Sequence, residues 1–212
     1  MRGDQVEHLA PGAYGEVRWS ARLARPGRTS PRPAAPERVR PAVQALVDGV
    51  ANQAAIIVGR RTDVLAGNRL GYALWGLPAP DGTAGQPRPN LARITFLDPA
   101  ARDLFPDWEA QAREIAAYLR HAAAQYPDDR ELHELVGELS VRSPDFVRIW
   151  SEHPVSDCPH SVREYRHPQV GSTVLNEEVV RLTDEPGARI IFSGAEDGTR
   201  SADRLRLLGT VG

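Results

Sequence analysis

Extended segments stand at both ends of the structured part of this chain, and a long run of helical pattern separates them. That order limits the available folds more than any single motif does. Near the front, "AAIIVGRR" (54–61) is a β-branched run, and "TDVLAG" (62–67) can pair with it as a second strand. Near the back, "SVREYRH" (161–167), "STVLNEEVVRL" (172–182) and "ARIIFSG" (188–194) read as a meander, broken at Gly171 and at "DEPG". Strands and helices do not alternate regularly, so a doubly wound parallel sheet is not expected. The order predicts an α+β domain: one antiparallel sheet with a block of helices packed over it.

The helical signals are local and strong. "PAVQALVDGV" (41–50) carries proline near its first turn, and "ADRLRLLG" (202–209) follows Ser201 as a cap. Asp98-Pro99 offers a cap and a first-turn proline. Trp108, Ala112, Ile115, Leu119 and Ala122 then follow the spacing of an amphipathic helix. Asp128 with Glu131 makes a capping-box-like start for a helix whose stripe is Leu132, Leu135, Val136 and Leu139. Ser143-Pro144 begins another, with Phe146, Ile149, Trp150 and His153 on one side.

From the end of the first front strand onward runs "GRRTDVLAGNRLGYALWG" (59–76), a strand, turn and helix in the layout of many nucleotide sites. A dinucleotide fingerprint needs three glycines at fixed spacing after the strand; Gly59, Gly67 and Gly71 do not complete it. Asp63 is expected to support a turn, and Asn68 to cap the helix or take a left-handed turn. The junction reads as structural, with one side toward a pocket.

Several chemistries are excluded outright. All 26 basic residues are arginine and none is lysine. A Walker loop, a Schiff base and a serine-lysine hydrolase each require that lysine. One cysteine, Cys158, allows no intramolecular disulfide and suits a reducing compartment. No apolar run approaches the roughly 20 residues of a membrane helix, and the start lacks a signal-peptide core. A cytoplasmic protein with no membrane role is expected. Residues 1–38, rich in proline and arginine, read as a mobile arm or linker ahead of a domain at 39–209. The first 40 residues carry a net charge of +4 and the rest −6, which makes the body a poor surface for nucleic acid.

No catalytic constellation emerges. His153, Cys158, His160 and His167 are zinc-ligating types, but their spacing is too tight and too proline-broken for ordinary chelation. A small metal-dependent hydrolase built on them is kept only as an alternative. Glu177 and Glu178 point to opposite faces of a strand and cannot act together. What remains is an aromatic inventory in or beside the helical block: Trp75, Phe96, Phe105, Trp108, Phe146 and Trp150. Core packing explains such rings, and a hollow between helices and sheet would suit a small molecule. No enzyme activity, metal or cofactor is expected.

The blocks "VGRRTDVLAGN", "LARITFLDPAARDLFPDWEAQAREIAAYLR", "DDRELHELVGELSVRSPDFVRIWSEHPV" and "REYRHPQVGSTVLNEEV" resemble, in order, the ligand-binding domain of MmyB-like transcriptional regulators. The likeness runs from about Pro41 to Leu208. These are XRE-type helix-turn-helix proteins with a PAS-like sensor, and one member holds a long-chain fatty acid. The resemblance implies a regulator that senses an apolar or amphipathic metabolite and signals through a change in dimer geometry. Recurring family letters match Arg60, Asp63, Asn68, Asn90, Arg93, Trp108, Trp150, His153, His167 and Gly171. The expected ligand contacts are the rings Trp75, Phe96, Trp108, Phe146 and Trp150, with Asn68 and His153, and with Arg60 or Arg93 for a carboxylate head. The segment before Pro41 is too short and proline-broken for a DNA-reading head. DNA is therefore expected as an indirect partner. A protein-interaction module with a filled core is the remaining alternative.

Overall fold

The computed structural model describes residues 37–78, 87–152, 160–185 and 187–211. Helix α1 (Pro41–Asp48) leads into strands β1 (Ala54–Val58) and β2 (Val64–Gly67) and helix α2 (Arg69–Leu74). The helical block follows: α3 (Leu91–Leu97), α4 (Ala100–Leu104), α5 (Trp108–Gln125), α6 (Arg130–Arg142) and α7 (Pro144–Ser151). Strands β3 (His160–His167), β4 (Gly171–Arg181) and β5 (Arg189–Gly194) and helix α8 (Arg200–Val211) complete the chain.

The five strands form one antiparallel sheet in the order β2-β1-β5-β4-β3. The last strand therefore lies between the first and the fourth, with Ile56 opposite Ile191 and Val179 opposite the same residue. This closure joins the two extended groups and carries the intervening helices onto one face, so the expected α+β architecture is found. All five residues of β1 are buried because both its faces are covered. Ala54, Ile56 and Val58 enter the main core under the helices, while Ala55 and Ile57 meet Val43 and Val47 of α1 on the other side. Strand β4 instead alternates, with Thr173, Leu175 and Glu177 in and Val174, Asn176 and Glu178 out.

The stripe read on α5 is buried as expected: Trp108, Ala112, Ile115, Leu119 and Ala122. Ser143 caps α7 by accepting from the Phe146 amide. Two caps shift by a residue or two. Asp129, not Asp128, caps α6 by accepting from the Leu132 amide, because that carboxylate also faces two arginines. Thr199, not Ser201, takes the Ala202 amide of α8; Ser201 instead accepts from the Val174 amide of β4. Asp98 does accept from the Ala100 amide, but the helix it opens is the short α4, separate from α5.

The 59–76 junction is a tight seat for α2. A Cβ at Gly71 would lie 2.3 Å from the Ala55 carbonyl oxygen, and one at Gly67 2.8 Å from the same atom. Glycine lets the helix backbone rest directly on β1. The turn between β1 and β2 places Thr62 at φ +67°, unusual for a β-branched residue. Its surroundings hold it there: the hydroxyl donates to Asn90 Oδ1 and accepts from the Ala92 amide, and its carbonyl accepts from the Leu91 amide. The folded body reaches back at least to Glu37, whose carboxylate accepts from the Arg60 amide at 2.8 Å. The rest of the proposed arm, residues 1–36, lies outside the described residues.

Candidate functional site

The core face of β3, β4 and β5 carries more polar chemistry than a sheet covered by helices needs. Residues two apart share a face. Arg163, Tyr165 and His167 of β3, Glu177 and Val179 of β4, and Arg189, Ile191 and Ser193 of β5 therefore all point under the helices. Register brings them into rows: Glu177 lies opposite Ser193, Val179 opposite Ile191, and Arg181 opposite Arg189.

Glu177 is the centre of the first group. Its carboxylate accepts from Arg163 Nε at 2.6 Å, Ser161 Oγ at 3.3 Å, Ser193 Oγ at 3.2 Å and the buried Tyr165 hydroxyl. Arg163 also pairs with Glu114 of α5. Burial alone would lower the Arg163 pKa, but Glu177 and Glu114 outweigh it and hold the guanidinium charged. Burial and the adjacent carboxylate push the Tyr165 hydroxyl well above its ordinary range. Both carboxylate oxygens of Glu177 are engaged, and through Arg163 the group joins the sheet to α5 as a polar pillar.

A second group lies at the β5 start. Arg189 is 8% exposed, and its Cζ lies 3.1 Å from the centroid of the Tyr118 ring on α5. Tyr118 is fixed in turn, its hydroxyl donating to the Gly187 carbonyl at 2.8 Å and lying 3.3 Å from that of Gly59. Burial pushes the Tyr118 pKa up and the Arg189 pKa down.

The sequence-expected contacts separate into distinct settings. Phe96, Trp108, Phe146 and Trp150 meet within the helical block: Phe96 is 6.0 Å from Trp108 and 5.0 Å from Phe146, both edge-on, and Phe146 stacks on Trp150 at 5.2 Å. Trp108 Nε1 donates to the Thr95 carbonyl, and Arg120 lies over the Trp150 ring. Trp75 belongs elsewhere, 5.2 Å from Phe105 and 6.4 Å from Tyr165, where α2 and α4 meet the sheet. Asn68 caps α2, accepting from the Gly71 and Ala55 amides and donating to the Gln53 carbonyl. Arg60 is buried, its Nε donating to Asp129 at 2.6 Å and its NH1 3.5 Å from Glu37. Arg93 is half exposed and pairs with Glu138 of α6. His153 and Cys158 lie outside the described residues.

His160 and His167 stand seven positions apart on β3, so they face opposite sides of the sheet, one exposed and one buried. Among the described residues no group of three histidine, cysteine or acidic side chains is placed to hold a metal. Two clefts that open at the surface of the described residues bear on the expected contacts. One of about 430 Å³ lies beside α2 and α8, reaching Asn68, Leu70 and Leu205. The other, about 510 Å³, gathers Glu37, Arg61, Asp63, Arg88, Arg93 and Glu131. Among the described residues no helix is long and apolar enough to cross a membrane.

Sequence reasoning missed Arg163, Tyr165, Glu114, Tyr118 and Arg189 as a group. A signal existed for β3, where Arg163, Tyr165 and His167 recur at period two on the inward side. Nothing local marked Arg189, whose neighbours come from a helix some seventy positions earlier. A family model described as the MmyB-like transcription regulator ligand binding domain matches residues 39–208. A comparison with curated proteins finds no match.

Proposed function

The chain belongs to the family of MmyB-like transcription regulator ligand-binding domains, and from that premise we propose that it senses an apolar or amphipathic, fatty-acid-like small molecule, without catalysing a reaction on it. The observation that carries this reading is the family match across almost the whole of the folded body. The sheet adds support, because its core face combines apolar rows with charged groups beneath α5. In this proposal the rings of Phe96, Trp108, Phe146 and Trp150 form one apolar wall and Trp75, beside Phe105 and Tyr165, belongs to another. Asn68 caps α2, Arg60 pairs with Asp129 and Arg93 with Glu138, and in this proposal they serve to hold the walls in place.

A ligand tail of ten methylenes buried there gains roughly 8 kcal/mol gross, at about 0.8 per group. Lost freedom on association removes several of these, which leaves affinity near the micromolar range. The signal passes to DNA through another segment or partner, with a change in dimer geometry as the output and the cytoplasm as the setting. Native mass spectrometry of the purified chain, with thermal shifts across a fatty-acid panel, is expected to show an adduct and a rise in melting temperature. No adduct and no shift would count against sensing. Mobility-shift assays should show no sequence-specific DNA binding by these 212 residues.

The close ring packing favours one other reading, a protein-interaction module whose interior is filled by its own side chains. That module would capture a protein partner while ignoring the whole lipid panel.

A further inference from the structure

Among the described residues Arg60 and Arg189 are buried and Arg163 is nearly so, and of these three only Arg60 and Arg163 are matched by carboxylates. Arg60 meets Asp129 and Glu37. Arg163 meets Glu177 and Glu114. The Arg189 guanidinium has neither an ion pair nor a hydrogen bond among the described residues, and its buried NH1 finds no acceptor; a buried nitrogen of Arg60 also lacks one, but there two carboxylates meet the charge. The nearby carboxylate, Glu114, sits one helical turn before Tyr118 and is engaged by Arg163. Arg181, the register partner of Arg189 on β4, adds a like charge.

A guanidinium stripped of water and given no anion destabilises the fold that contains it. Here the arrangement nonetheless looks prepared. The Tyr118 ring fixes the guanidinium plane, and Tyr118 is itself tied to the Gly187 carbonyl, so the fork of N–H donors is oriented in advance. Two positions along the same sheet face, Val179 and Ile191 lie opposite one another and present apolar surface beside the charge. Cationic fork and apolar row together match one kind of guest: a molecule with an anionic end and a hydrocarbon body.

We propose that Arg189 is the anchor for the carboxylate of the amphipathic molecule this domain binds, received bidentately on the edge of the guanidinium while Tyr118 holds its face. This proposal rests on the sensing reading above and names the ligand's charge and its point of attachment. It replaces Arg60 and Arg93, whose charges are already matched by Asp129, Glu37 and Glu138.

The test is calorimetric titration of the full chain with dodecanoate and with 1-dodecanol, for the wild type, Arg189→Met and Arg189→Lys. The wild type is expected to bind the acid at least about tenfold tighter than the alcohol, the worth of a charge-assisted hydrogen bond. Arg189→Met is expected to lose that preference and keep its affinity for the alcohol, with Arg189→Lys between the two. In the absence of ligand, Arg189→Met is also expected to melt at a higher temperature, because a buried unmatched charge is gone. A folded Arg189→Met that still prefers the acid overturns the proposal, as does one that melts well below the wild type. A wild type that binds acid and alcohol alike sinks the role of Arg189 alone. A wild type that binds neither sinks the sensing reading, and the anchor with it.

Discussion

Gly71 and Gly137 are both helical glycines, yet their surroundings give them opposite roles. A Cβ on Gly71 would meet the Ala55 backbone, which cannot withdraw without distorting β1. Gly71→Ala is expected to destabilise the protein by about 1–3 kcal/mol in urea denaturation, as overpacking does. Gly137, exposed on α6 with open space around it, should show the reverse, with Gly137→Ala gaining about 0.5–1 kcal/mol from helix propensity. His167 provides a residue-scale pH response. Its Nδ1 accepts from the Gln169 amide, so the neutral ring carries its proton on Nε2, 3.0 Å from the Ala73 carbonyl. Burial lowers its pKa below 6.5, against a smaller upward pull from the Ala73 carbonyl. The unfolded chain therefore binds more protons than the folded one just below pH 6.5. The stabilising effect of a neutral His167 is complete above that pH and is lost as pH falls through the folded value. Melting temperatures measured across this range should decline on the acid side, and His167→Gln should flatten the decline.

At the scale of elements, two kinds of contact hold α7 in the helical block, and they differ greatly in worth. Glu109 and Arg113 of α5 exchange exposed ion pairs with Arg148 and with Glu152 just past the end of α7. The hydrogen bonds from Arg148 and then Arg113 pull the Glu109 carboxyl down to about 2. These groups are wet, and their attraction is screened. Arg148→Ala is expected to lower stability only slightly, with the difference shrinking as salt is raised. Beneath them, Phe146 is fully buried between Phe96 and Trp150. Phe146→Ala should cost about 3–5 kcal/mol, independent of salt, through lost transfer energy and a cavity. A chemical-denaturation comparison of the two variants at low and high salt checks both statements.

At the scale of the whole molecule, the strand order makes the ends of the folded body interdependent. Strand β5 is hydrogen-bonded to β1 on one side and β4 on the other, so the sheet is closed by residues contributed last. A chain ended after Arg181 would leave two edges facing an empty lane and would also lose α8, which packs on β4 and α2. Circular dichroism should show such a truncation to lack the cooperative transition expected of the intact sheet.

Read without coordinates, the sequence determined the elements and much of their order, for a physical reason. Helix periodicity, caps and β-branched runs act over a few residues, so the stripe on α5, the Ser143 cap and the three late strands were legible where they stand. The same locality explains the small errors: Asp128 and Asp129, or Thr199 and Ser201, are equivalent caps until a distant partner selects between them. Tertiary structure alone decided which polar side chains face inward and whom they meet. Asp129 is chosen by Arg60 and Arg61 across nearly seventy positions, and Glu177 gathers donors from two other strands. Among the described buried arginines, Arg189 is set apart by the carboxylate that the fold fails to place beside it. Burial and charge matching are sums over neighbours brought together by folding, and no window along the chain contains them.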